Sequence, residues 1–172
     1  AVVLSSTTAG ADMPSNQSLE DPGALTVELG WTETPPVLDG VMDDAGWRDG
    51  GLVTQMLQVL PTPGADPSQR TETPIVTDGQ TLVIGFRCYD TNPEEIIRNR
   101  MKRDTFPFYD DRVGISLDPF MSRRNGYFFG TNPNAMRHDV LVESENYEVS
   151  WDTIWFVETS VDAEGWTAEI AI

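Results

Sequence analysis

Short runs of β-forming residues, each closed by a glycine, proline or aspartate turn, succeed one another from Val37 to Ile172. No stretch of comparable length keeps a helical period, so the chain is expected to pair its segments into antiparallel sheets. The spacing predicts strands over 55–60 and over 71–77, the second carrying Pro74 and therefore suited to an edge or a bulge. The Asp78-Gly79 turn leads into 81–90, apolar at its start as a central strand would be. Strands over 112–118, 126–132, 139–144 and 151–158 follow, and the turn Asp162-Ala163-Glu164-Gly165 delivers the last one, 166–172. One helical start stands out. Asn92 can cap, Pro93 takes the first helical position, and Glu94 and Glu95 fill the first turn, which predicts a turn or two of helix ending near Arg103. The expected fold is all-β: an antiparallel β-sandwich with an extended N-terminal arm and one short helix.

Residues 1–36 read differently. Ser5-Ser6-Thr7-Thr8 and Ser15-Asn16-Gln17-Ser18 carry no apolar period, and Thr34-Pro35-Pro36 closes the segment with a stiff, extended break. Only 25–29 alternates enough for a short strand. The expected division is thus an extended acidic arm, 1–36, and a β-sandwich domain, 37–172. Such an arm buries too little apolar surface to offset its own ordering. It is expected to lie as a docking strap on its own sandwich or on a partner, touching through Glu20, Asp21, Leu25, Val27, Glu28, Leu29, Trp31 and Glu33. The chain starts at Ala1 without a signal region and stops at Ile172 in mid-alternation, which reads as a piece of a longer, processed protein.

Charge removes several classes of function. Acids outnumber bases 28 to 11, a net charge of -17, and the first base is Arg48. A surface of that sign repels phosphate backbones and anionic lipid, so neither nucleic acid nor direct lipid binding is expected. The longest apolar stretches fall far short of the roughly 20 residues of a membrane helix. One cysteine, Cys88, and one histidine, His138, are too few for a zinc site of Cys and His ligands, and no internal disulfide can form. Cys88, inside an apolar strand, reads as a small buried hydrophobe, and His138 as a surface hydrogen-bonding residue. Glu143 and Glu145 share a strand face as a hydrolase pair would, but among 28 acids such pairs arise by chance, and no catalysis is expected. Asp110 and Asp111, together with Asp104, Asp118 and Asp139, supply hard oxygens suited to calcium, without the spacing of an EF-hand. No other cofactor is expected.

The tryptophans carry the binding argument. Trp47 follows an Asp-Gly turn in an apolar context and Trp166 opens an alternating strand, so both are expected in the core. Trp151 and Trp155 lie four apart on one expected strand and so share a face, with Ile154 and Phe156 on the opposite, core-facing side. The pair would then stand exposed beside Tyr147, stacking on sugar rings with hydrogen bonds from Asp152, or else lie under a loop or a partner protein.

Five motifs in order carry a resemblance. The first runs Pro36-Val37-Leu38-Asp39-Gly40-Val41-Met42-Asp43-Asp44-Ala45-Gly46-Trp47, an Asp-Gly turn followed by acids and a tryptophan. The stretch from Asp78-Gly79 to Tyr89-Asp90, Asp110-Asp111-Arg112-Val113-Gly114-Ile115, Gly126-Tyr127-Phe128-Phe129-Gly130 and Gly165-Trp166-Thr167-Ala168-Glu169-Ile170 complete the series. Together they resemble family 9 carbohydrate-binding modules, in particular the family-9-like N-terminal domain of large bacterial envelope proteins with a presumed C-terminal outer-membrane barrel. The resemblance implies a β-sandwich in the periplasm or outside the cell, glycan binding, and in places structural calcium. The expected function is a non-catalytic binding module, taking an envelope glycan or a protein through its aromatic patch. The alternative is an extrinsic structural subunit of a larger membrane complex, such as a transport, respiratory or photosynthetic reaction-centre assembly, held by the arm.

Overall fold

A computed structural model describes residues 27–105, 109–144 and 146–172, together with the backbone of residues 2–7. Eleven strands follow in order: β1 (Val2–Thr7), β2 (Gly30–Trp31), β3 (Gly51–Val53), β4 (Thr71–Thr77), β5 (Leu82–Tyr89), β6 (Arg112–Leu117), β7 (Asn125–Thr131), β8 (His138–Glu143), β9 (Asn146–Glu148), β10 (Phe156–Asp162) and β11 (Gly165–Ala171). They form two sheets. Sheet one has the order β1-β6-β7-β8-β9, and sheet two the order β10-β11-β5-β4-β2, with β3 also paired to β4. All pairings are antiparallel except β2 with β4. The expected all-β sandwich is the fold. Among the described residues no helix is long and apolar enough to cross a membrane.

Strand alternation fills the space between the sheets. Sheet one contributes Val113, Ile115 and Phe129; sheet two contributes Ile75, Ile84, Phe86, Cys88, Val157, Trp166, Ala168 and Ile170. Burial pushes the Cys88 thiol up to about 12, so it stays protonated and packs as a hydrophobe. The opposite face of sheet two is covered as well. There Trp47, Leu38 and Met42 pack on Val76, Val83 and Ala171, a second apolar layer beneath the segment 36–50. This explains why β11 is buried along its whole length. Trp47 is buried as expected, but in this outer layer rather than between the sheets.

Three expectations fail locally. Residues 55–60 form no strand: Gln58 N–H donates to the Ala65 carbonyl (2.9 Å) and Gly64 N–H to the Gln58 carbonyl (2.8 Å), closing a loop on itself. The expected helix is one 3-10 turn, Pro93–Glu95. Its continuation is captured from outside, because Asp111 Oδ2 takes the Ile97 N–H (2.7 Å) and Asp110 Oδ2 the Arg100 N–H (2.8 Å). Neither donor remains for an α-helical bond. The last difference concerns 151–158, whose first five residues are irregular, the strand starting only at Phe156.

The arm contributes strands to both sheets. Val2–Thr7 pairs with β6, and Gly30–Trp31 pairs parallel with β4. The single strand expected over 25–29 is not found in its described part, 27–29. Residues 27–30 approach the backbone of 49–51 directly: a Cβ on Gly51 would collide with the Glu28 carbonyl, and one on Gly30 with that of Asp49. Only glycine permits that contact.

Candidate functional site

The predicted aromatic patch does not exist as a surface. Because Trp155 lies in the irregular approach to β10, its indole turns inward and is 0% exposed, with its ring 5.5 Å from Phe129 in edge-to-face contact. Trp151 is half-buried on the same cluster, its ring centroid 5.2 Å from Tyr127 and 6.3 Å from Phe129. The side chains expected in the core are the ones outside: Ile154 is 84% and Phe156 60% exposed. Tyr147 is exposed on β9 beside Val142, on the face of sheet one away from Phe129. Asp152 is exposed and pairs with Arg103. The four residues therefore do not converge on one ligand.

The acid candidates are engaged in the scaffold. Asp110 Oδ2 also accepts from Asn132 Nδ2 (2.7 Å), while its buried Oδ1 accepts no hydrogen bond from the described residues. Burial raises the Asp111 carboxyl above its ordinary value. Asp139 is fully buried; it accepts from Arg103 Nη2 (2.9 Å) and from the Thr153 N–H (2.9 Å), tying 103 and 153 to β8. Among the described residues, no three His, Cys, Asp or Glu side chains come together as metal ligands.

What the surface does present is Trp31. Four of the five tryptophans are buried or half-buried, and Trp31 is 62% exposed. Its backbone is fixed by pairing with Thr77 and by the Thr32 N–H donated to the Thr77 carbonyl (3.1 Å). The indole edge rests on the β4–β5 turn at Gly79, where a Cβ would stand 3.0 Å from the ring and where φ is +87°, so glycine is required twice. That turn is itself stiff. Asp78 Oδ1 accepts the N–H groups of Gln80 and Thr81 (2.8 Å each), which holds its carboxyl below the usual range, and Thr77 Oγ1 donates to the Thr81 carbonyl (2.8 Å). Gln80 and Glu33 are exposed on the two segments that meet there.

Of the other expected docking residues, Glu20, Asp21 and Leu25 lie outside the described residues. Val27 is half-buried, while Glu28, Leu29 and Glu33 are exposed. Sequence reasoning missed a concavity on the outer face of sheet two. This cleft of about 380 Å³ is lined by Met42, Trp47, Leu52, Glu72, Pro74, Arg87 and Tyr89. Its polar groups are already held: Tyr89 Oη donates to Glu72 (3.1 Å), and Arg87 grips both oxygens of Asp162 (2.7 and 3.0 Å), which raises the Arg87 guanidinium further. Beside it lies Glu169, fully buried and accepting from Asp39 N–H (3.0 Å), Gly40 N–H (2.7 Å) and Trp47 Nε1 (3.3 Å). The signal for Glu169 was legible: an acid between Ala168 and Ile170 in an otherwise apolar strand. The Asp-Gly turn, the tryptophan and the terminal strand of the motif series are thus joined by one carboxylate.

Comparison with protein-family models, with curated proteins and with solved structures yields no match.

Proposed function

We propose that the protein is a non-catalytic binding module acting outside the cytoplasm, in the periplasm or beyond, with Trp31 as its ligand platform. One observation carries the reading: the exposed tryptophan is held rigidly on a turn that leaves its ring open to solvent. A flat aromatic surface with polar neighbours suits the apolar face of a sugar ring, and a pre-formed platform binds without an ordering cost. The motif resemblance to family 9 carbohydrate-binding modules supports a glycan. The engagement of Asp139, Asp111 and Glu169 in structural hydrogen bonds supports a role without catalysis.

Trp31→Ala is expected to leave stability within about 0.5 kcal/mol, since the side chain is exposed, and to abolish binding in calorimetric titrations with reducing sugars and envelope polysaccharides. Binding unchanged in the variant would reject the platform; no binding across the panel would reject the glycan.

A second reading is favoured by a separate observation. Leu29, Trp31 and Val37 are all exposed along one short segment, flanked by exposed Glu28 and Glu33. Apolar residues rimmed by acids suit a protein partner, and the chain would then be an extrinsic subunit of a membrane assembly. Size exclusion of a membrane extract separates the two: migration of the protein as a free, unassociated chain contradicts the subunit reading.

A further inference from the structure

We infer that Glu169 is a latch that holds residues 36–50 on the outer face of sheet two, and that the latch is set by pH: it tightens on acidification and eases as pH rises. The inference is independent of what binds at Trp31.

The geometry makes Glu169 the polar fastening of this segment. Its carboxylate takes the two backbone N–H groups of the Asp39-Gly40 turn and the indole N–H of Trp47, groups more than 120 residues away in sequence. The Gly40 carbonyl is held in turn by Thr167 Oγ1. Around Glu169 the charges are wrong for a permanent anion. Glu158 on β10 stands directly opposite in register, on the same face, and like charges so placed repel. Asp39 on the segment itself adds a third acid. On the other side, β5 offers Gly85 directly opposite. The nearest cation on that strand, Arg87, stands opposite Thr167 and is committed to Asp162 and Glu164. On the segment, Asp44 is spent on the Val37 N–H (2.9 Å). Two acids thus lie near Glu169, and no salt bridge to it is found among the described residues.

The direction of the effect follows from linkage. Burial raises the Glu169 carboxyl above its ordinary value, against the three hydrogen bonds that lower it. A group that binds its proton more tightly when the segment is docked favours docking as it becomes protonated. Docking therefore strengthens as pH falls through the folded value toward the ordinary one, and that gain is lost as pH rises back through the folded value. A proton on Oε1 displaces the long bond from Trp47 Nε1, and Oε2 still accepts from Asp39 and Gly40.

The test is hydrogen exchange by NMR at the Asp39 and Gly40 amides, corrected for intrinsic rates, between pH 5 and pH 8. Protection at pH 5 is expected to exceed that at pH 8 severalfold. Glu169→Gln keeps one carbonyl oxygen for the turn and should flatten the profile. Should that variant fold poorly, Glu158→Gln, at an exposed position, removes the opposing charge and should raise protection at pH 8 toward its pH 5 level. Asp78, Asp118, Glu148 and Asp162, all held below the usual carboxylate range, titrate beneath this window. Asp111, raised like Glu169, reports at Ile97 instead. A flat wild-type profile, protection that falls on acidification, or a Glu169→Gln profile as steep as wild type would overturn the latch.

Discussion

Trp155→Ala is expected to leave the protein largely unfolded at ordinary temperature. Trp155 is the largest fully buried side chain and joins the two sheets through Phe129 and the core cluster. Truncating such a ring costs about 3–5 kcal/mol, against a total stability of about 5–15 kcal/mol for a domain. Trp155→Phe is expected to cost much less. The buried indole N–H has no hydrogen-bond partner among the described residues, so only ring volume is lost. Urea unfolding followed by circular dichroism checks both. A folded Trp155→Ala with weakened glycan binding would instead reinstate Trp155 as a ligand platform.

The second large effect is expected at Asp139. Alanine there leaves the Thr153 N–H without its acceptor and takes one partner from Arg103. Breaking a buried pair costs about 3–5 kcal/mol, but Arg103 is partly exposed and keeps Asp152 and the Thr153 carbonyl, so about 2–3 kcal/mol is expected. Asp139→Asn should cost less, since an amide oxygen still accepts from Thr153. Denaturant midpoints of the two variants decide it; equal and negligible shifts would contradict the structural role.

The strands were legible wherever one face meets the core, because burial imposes alternation. Thus 71–77 is recovered as predicted, and β5, β6, β7, β8 and β11 lie within a residue of their predicted ends. The failures share a cause: partners distant in sequence. Asp110 and Asp111 take donors that a helix after Glu95 would have used. Trp151 and Trp155 have the spacing of a strand face, yet the chain stays irregular there while Asp139 and Arg103 hold 152 and 153. No local pattern announces that carboxylate. The exposed platform was hidden for the opposite reason. In the sequence Trp31 is one docking residue among eight, and only its pairing with Thr77 and its seat on Gly79 single it out.

The central claim is that Trp31 is the residue a ligand meets, and the tryptophan indole N–H signals in a two-dimensional NMR spectrum test it most directly. Titration with reducing sugars and envelope polysaccharides is expected to shift the Trp31 signal, assigned by its loss in Trp31→Phe, and to leave those of Trp47, Trp151, Trp155 and Trp166 in place. A shift of Trp151 with Trp31 unmoved, or five unmoved signals across the panel, would contradict the account.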